Sequence, residues 1–180
     1  MKKKILAFGG STSRASINQA FVTYAASQLT DFEAKVVRLL DFEMPLFSVD
    51  VQEEDSFPES VKELHQLIKD ADGIVISLAE HNGAYTAAFK NAFDWLSRLE
   101  GKAWDNKPML LLSTSPGGRG GSSVMEIASN RFPFNGGEII ATFSLPFFQR
   151  NFHPDDGIAD SGLDLQFRAA LQSFTQHMIL

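Results

Sequence analysis

The chain has 180 residues, a length that suits one domain with a buried core and is short for two. Its 16 Lys and Arg residues against 22 Asp and Glu residues give a net charge of −6, so the basic face of a nucleic-acid-binding protein is not expected. There are no cysteines, which excludes disulfide bonds, thiolate metal sites and a cysteine nucleophile.

The sequence opens with MKKKILAFGG, whose apolar run covers only residues 5–8. The apolar core of a secretion signal needs roughly 7–15 residues, and a membrane span needs about 20. No stretch of the chain meets either requirement. We therefore expect a cytoplasmic protein without a membrane partner.

Short apolar runs alternate along the chain with longer segments of helical spacing. The runs predict strands at 4–8, 34–40, 73–79, 108–114 and 138–145, and the segments predict helices at 16–29, 57–71, 85–99, 121–131 and 162–178. Ser16-x-x-Gln19 and Ser56-x-x-Glu59 fit capping boxes at two of the helix starts. The alternation indicates an α/β fold, with one domain over residues 1–180 and a parallel sheet covered on both faces.

Three loops rich in small residues follow the first, third and fourth predicted strands. They are GGSTSRASIN at 9–18 (the first loop), EHNGAY at 80–85 (the second loop) and SPGGRGG at 115–121 (the third loop). Ligands of such sheets bind at the carboxyl ends of the strands, where the strand order changes direction. We therefore expect the three loops to form one ligand site.

The first loop has the composition of a phosphate site. Its two glycines allow successive N–H groups to converge on an anion, and the helix that follows adds unpaired N–H groups and the positive end of its dipole. Further donors are the hydroxyls of Ser11, Thr12, Ser13 and Ser16 and the charge of Arg14. Ser16 is equally suited to cap the helix. Neither the G-x-x-x-x-G-K-[ST] motif nor the G-x-G-x-x-G motif fits this stretch.

GSTSRASIN, EHNGAYTAAFKNAFDWLSR and SPGGRGG resemble the signature loops of the NADPH-dependent FMN reductase family, which includes chromate and quinone reductases. That family reads G-S-x-R-x-x-S-x-N, then P-E-Y-N with L-K-N-x-x-D-W, then a Ser-Gly loop ending in Gly-Gly. The likeness covers nearly the whole chain, and K-N-x-x-D-W is its most specific part. It implies a flavodoxin-like three-layer sandwich with a five-stranded parallel sheet in the order 2-1-3-4-5.

The resemblance also implies bound FMN, with its phosphate in the first loop and its isoalloxazine ring against the other two loops. By position, the phosphate residues would be Ser11, Ser16 and Asn18, and the same loop contributes Ser13, Arg14 and Ile17. The ring would be bordered on one side by Glu80, His81, Asn82 and Gly83, and on the other by Ser115, Pro116, Gly117, Gly118 and Gly120. The family's arginine falls at Ser13, so backbone N–H groups and hydroxyls are expected to bind most of the phosphate. His81 replaces the family's tyrosine. Three roles stay open for it, which are to stack on the flavin, to sense its charge or to face solvent.

The predicted helix 85–99 has two apolar stripes. One contains Tyr85, Phe89, Phe93 and Leu96, and the other contains Ala88, Ala92, Trp95 and Leu99. The resemblance implies dimers or tetramers, so the second stripe predicts a homodimer or homotetramer contact through this helix. The alternative is that Trp95 packs under a neighbouring loop of the same chain.

The expected activity is that of an FMN-dependent NAD(P)H oxidoreductase, which passes electrons from NADPH or NADH through the flavin to quinone-like or other small acceptors. The cofactor carries such chemistry, so no catalytic acid–base pair is expected, and no His, Asp and Glu spacing suggests a metal site. The alternatives are a flavodoxin-like electron carrier without nicotinamide turnover, and a flavin-binding scaffold. The aromatic tract LPFFQRNF, residues 145–152, is suited to wall the substrate side or a subunit interface.

Overall fold

A five-stranded parallel sheet forms the centre of the protein, whose computed structural model describes residues 1–179. Its strands are β1 (Lys4–Gly9), β2 (Glu33–Arg38), β3 (Gly73–Leu78), β6 (Lys107–Thr114) and β7 (Gly137–Leu145), in the order β2-β1-β3-β6-β7. Two short antiparallel pairs lie outside it, β4 (Glu80–His81) with β5 (Ala84–Tyr85) and β8 (Phe152–His153) with β9 (Gly157–Ile158). Since β6 and β7 are the fourth and fifth strands of this sheet, the predicted flavodoxin-like sheet and its strand order 2-1-3-4-5 are confirmed.

Helices cover both faces of the sheet. They are α1 (Ile17–Ser27), α2 (Val49–Asp55), α3 (Glu59–Asp70), α4 (Ala87–Leu96), α5 (Ser122–Arg131), α6 (Phe148–Asn151) and α7 (Ser161–Ile179), with 3₁₀ turns at Leu39–Asp41 and Phe132–Asn135. Among residues 1–179, no helix combines the length and apolar character needed to cross a bilayer. The five predicted helices are all present, but the pattern missed α2, α6 and the two small hairpins.

Side chains alternate between two cores along the inner strands, as the two-residue period of a strand requires. On β1, Leu6 and Phe8 pack with α3, α4 and α5, whereas Ile5 and Ala7 pack with α1 and α7. Every residue of β3 is buried. Burial on both faces explains why these strands appear in the sequence as short continuous apolar runs.

The two predicted capping boxes have different outcomes. Ser16 caps α1 by accepting the Gln19 N–H at 3.1 Å, but the Gln19 side chain turns to the sheet and accepts the Gly9 N–H at 3.0 Å, so only half of the box forms. The second box is wrong. Ser56 ends α2 with a φ of 63°, and α3 begins after Pro58 without a side-chain cap. The reason is that residues 49–55 form a helix of their own just before α3.

The second apolar stripe of α4 packs inside the same chain. Trp95 is fully buried; its Nε1 donates to the Pro45 carbonyl at 2.8 Å, and its ring lies 5.0 Å from that of Phe47. Asn91 fastens the same segment by accepting the Phe47 N–H at 2.8 Å. The two faces of this helix are therefore explained by a loop of the chain itself, and the oligomeric state stays a prediction.

Candidate functional site

The first, second and third loops lie at one edge of the sheet, at the carboxyl ends of β1, β3 and β6. Strand register brings them together, because Gly9 pairs with Ser77 and Leu78 pairs with Ser113. From β1 the chain adds β2 on one side of the sheet and then β3 on the other side. The strand order therefore changes direction between β1 and β3, which is the position where ligands bind in open α/β sheets. The Thr86 hydroxyl adds a direct link by donating to the Gly10 carbonyl at 2.8 Å.

Asn18 holds the strand ends of this edge together from the inside. The residue is 2% exposed, and its Nδ2 donates to the Thr114 carbonyl at 3.0 Å. Its Oδ1 accepts the Ser77 hydroxyl at 2.7 Å and the Thr114 N–H at 3.0 Å. Both ends of the amide are thus bonded inside the protein, which leaves the backbone N–H of Asn18 rather than its side chain for an anion.

The glycines of the first loop have a packing role that their sequence did not show. The Gly10 N–H donates to the Ser77 carbonyl at 2.8 Å and the Gly9 N–H is bonded to Gln19, so neither is free for an anion. A Cβ on Gly9 would lie 2.8 Å from the Gln19 nitrogen, and one on Gly10 would lie 3.3 Å from Phe89 Cδ2. These glycines let α1 and α4 approach the strand closely.

The free donors of the first loop come from the residues after the glycines. Thr12, Ser13 and Arg14 are exposed, and Ser11 and Ser16 are partly exposed. Inside the loop, the Ser13 N–H donates to Ser11 Oγ at 3.1 Å, and Arg38 donates to the Arg14 carbonyl at 3.3 Å. The first N–H groups of α1, including that of Ile17, have no partner within a helix. Exposed hydroxyls, unpaired amides and a positive helix end fit a phosphate ester such as that of FMN.

Three helices begin at this edge, and their N-termini are not equivalent. Thr86 caps α4 by accepting the Phe89 N–H at 3.1 Å. Helix α5 has no cap of its own, because it starts after Gly121, a glycine with φ of 83°. Glu80 supplies the missing cap, since its Oε2 accepts the Val124 N–H at 3.0 Å. A carboxylate thus already occupies the N-terminus of α5, which leaves the N-termini of α1 and α4 for an anionic ligand.

Glu80 therefore serves as a brace between the second and third loops. Its side chain is only 12% exposed, and its Oε1 lies 3.7 Å from Nη2 of the exposed Arg119. The structure places this carboxylate against the start of α5. Sequence reasoning assigned Glu80 to the flavin border, and the signal it missed is the uncapped glycine start of α5.

The second loop is a β-hairpin, formed by β4 and β5. Its turn residues Asn82 and Gly83 have φ of 52° and 77°, the left-handed values that a two-residue hairpin turn favours. His81 and Asn82 are exposed, and no atom lies within 4 Å of a Cβ built on Gly83. The Asn-Gly pair was the sequence signal for this hairpin. Tyr85 closes it, and burial of its hydroxyl raises the pKa of that group well above its usual range.

The third loop has an exposed part and a packed part. Pro116, Gly117 and Gly118 are exposed and Ser115 is partly exposed, which leaves them accessible to a ligand. Gly120 is buried with a φ of 58°, and a Cβ there would lie 2.8 Å from the backbone of β7. Its carbonyl accepts the Ser113 hydroxyl at 2.8 Å. Gly120, one of the predicted site residues of this loop, is thus buried against β7 and lies apart from the exposed residues 115–118.

Comparisons with known proteins agree with this geometry. The family model for NADPH-dependent FMN reductase matches residues 3–148. The chain belongs to this family. Among relatives, a quinone reductase of Escherichia coli K12 is 42% identical over 80 residues, covering 44% of this chain and 43% of the relative. An NADPH azoreductase of Bacillus sp. OY1-2 is 32% identical over 122 residues, covering 68% of this chain and 64% of the relative. The match thus spans less than half the length of the quinone reductase.

A solved structure supports the fold of this family member over 98% of the chain. The flavoenzyme NAD(P)H:acceptor oxidoreductase FerB of Paracoccus denitrificans aligns with a TM-score of 0.73 at 23% identity, covering 98% of this chain and 99% of that one. At this identity the likeness concerns the fold alone. The family assignment therefore depends on the sequence match, and the architecture has support from both.

Proposed function

We propose that the protein is an FMN-dependent NAD(P)H oxidoreductase that passes electrons to quinones or similar small acceptors. The observation that carries this proposal is the start of α1, where exposed hydroxyls and unpaired N–H groups lie at the junction of three ligand-accessible loops. The family assignment and the names of the relatives support the same activity. The bound flavin would supply the hydride and electron transfer chemistry.

In this proposal, each group of residues has a distinct task. Ser11, Ser13, Ser16, the Arg14 charge and the backbone N–H groups of Ile17 and Asn18 would bind the phosphate. The exposed edges of the second and third loops would hold the planar ring, with His81, Asn82 and Gly83 on one side and residues 115–118 on the other. Asn18 and Glu80 would fix the loops from inside the protein, because their side chains already have partners there.

The phosphate assignment is tested by comparing the affinities of FMN and riboflavin, which differ only in the phosphate. We expect FMN to bind at least tenfold more tightly, a difference of about 1.4 kcal/mol. Ser11→Ala with Ser13→Ala should reduce this preference severalfold and leave riboflavin binding unchanged. Thr23→Ala, which removes an exposed hydroxyl further along α1, is the matched control. Equal affinities for the two ligands would refute the assignment.

Nicotinamide turnover is tested by anaerobic reduction of the FMN-loaded protein. Added NADPH or NADH should bleach the flavin within seconds, and a panel of quinone acceptors should restore its colour. Tight FMN binding with slow or absent bleaching would indicate the electron carrier instead. The same samples show which nicotinamide is preferred.

We also propose that the protein forms a homodimer or homotetramer. The stretch around Pro45 and Phe47, which packs against α4, carries apolar side chains in solvent. Leu46 is 81% exposed and Val49 is 51% exposed. Burial of such residues in a contact between copies would be favourable. Light scattering of Leu46→Glu against the unaltered protein tests this, because a charge at the contact should lower the measured mass. An unaltered protein that is monomeric at all concentrations would contradict the proposal.

A further inference from the structure

Phe147 has an unusual backbone for a bulky residue. Its φ of 48° and ψ of 58° lie in the left-handed region, which aromatic residues rarely occupy. In the described part of the chain, the other non-glycine residues with positive φ are Ser, Asn and Asp. Phe147 is also 44% exposed, so core burial alone does not account for this conformation. Such a backbone persists where surrounding contacts hold it, and these positions cluster at functional sites.

The contacts that hold Phe147 are with the third loop. Its N–H donates to the Gly117 carbonyl at 3.0 Å, and the next N–H, that of Phe148, donates to the Ser115 carbonyl at 3.1 Å. Two backbone bonds therefore fix the distance between the aromatic tract 145–152 and the third loop.

The ring of Phe147 lies against Gly118 of the third loop. A Cβ built on Gly118 would lie 2.8 Å from Phe147 Cζ and 3.2 Å from Cε2. Gly118 does not have a positive φ, so its backbone does not itself require glycine. The Arg150 guanidinium lies over the same ring, 5.6 Å from its centroid. The ring thus contacts Arg150 over its face and the third loop at Gly118.

We propose that Phe147 is a positioning residue of the candidate flavin site, which acts through Gly118 to set the place of the third loop. The inference depends on the proposed function, since that function assigns the exposed edge of this loop to the flavin ring. A planar ligand held by a loop needs that loop within about half an ångström of its working position. The ring of Phe147 meets this loop at Gly118.

The test is a cycle of single and double variants with FMN affinity and the absorption spectrum of the bound flavin as readouts. Gly118→Ala pushes a methyl group into the ring, so we expect FMN affinity to fall about tenfold and the flavin bands to shift. The reference is the same Gly118→Ala change made in a Phe147→Ala background, which keeps the methyl group at residue 118 and removes the ring that it meets. Gly118→Ala with Phe147→Ala removes the clash, so this double variant should bind FMN as tightly as Phe147→Ala alone.

The strained backbone is separated from the ring by comparing Phe147→Ala with Phe147→Gly. Both remove the ring, so both should weaken FMN binding severalfold and by similar factors. Only glycine relieves the left-handed backbone, so Phe147→Gly should unfold at a higher urea concentration than Phe147→Ala. Wild-type FMN affinity and spectrum in both variants would overturn the proposal.

Urea unfolding of the flavin-free variants distinguishes failure of this inference from failure of the proposed function. A nonadditive effect of the changes at 118 and 147 on unfolding supports the contact whether or not flavin binds. If the unaltered protein does not bind FMN, the proposed function fails, while this nonadditivity still supports positioning of the loop. If FMN binds and Gly118→Ala weakens it by the same factor with and without the Phe147 ring, the proposed function stands and the positioning role is wrong.

Discussion

Replacement of Asn18 by alanine tests whether this residue stabilises the protein or binds phosphate. The side chain makes three buried hydrogen bonds, two with the Thr114 backbone and one with the Ser77 hydroxyl. Each contributes about 1 kcal/mol net, and the Thr114 and Ser77 groups left without a partner would add to the loss. We expect Asn18→Ala to lower the free energy of unfolding by about 3–5 kcal/mol, in the absence of any flavin.

Urea unfolding of the flavin-free protein measures this loss. Ser77→Ala is the graded control, since it removes one of the three bonds and its own donor together, so it should lose only about 1 kcal/mol. Asn18→Asp keeps the acceptor but places an unpaired charge against the Thr114 carbonyl, so it should also destabilise strongly. A loss below about 1 kcal/mol for Asn18→Ala, together with weak FMN binding, would refute the structural role and favour a phosphate ligand.

Two further predictions concern charges that the sequence did not explain. Glu80→Ala removes the cap at the Val124 N–H of α5 and should lower the free energy of unfolding by about 1–2 kcal/mol. The control is Glu126→Ala at an exposed position of α5, which should cost no more than about 0.5 kcal/mol. Equal losses in the two variants would contradict the bracing role. Burial, reinforced by Lys69, lowers the pKa of His65 below its ordinary value of 6.5. The unfolded chain then binds more protons than the folded one below pH 6.5, so stability should fall from pH 7 to pH 5, and His65→Gln should flatten this fall in urea unfolding curves. An unchanged slope in His65→Gln would show that other groups cause it.

Much of the fold followed from local patterns. Apolar runs located all five sheet strands, because a strand buried on both faces is apolar at successive positions. Helical spacing located the five long helices, because a helix packed on one side has apolar residues at every third or fourth position. The short elements were missed because these patterns need several residues to become visible. Helix α2 and the hairpin β4–β5 have too few residues for a period to show, although Ser48 as a cap and Asn82-Gly83 as a turn were local signals.

The sequence by itself determined that three small-residue loops follow the first, third and fourth sheet strands, and hence that they share one edge. That conclusion needs only the parallel order of the strands, in which carboxyl ends must meet. Which residues of those loops are accessible to a ligand was decided by the tertiary structure. Asn18 turns inward to a partner 96 residues away, and Glu80 caps a helix 44 residues further along the chain. Both side chains have the chemistry of a ligand contact, and only the positions of distant hydrogen-bonding groups show that they already have partners.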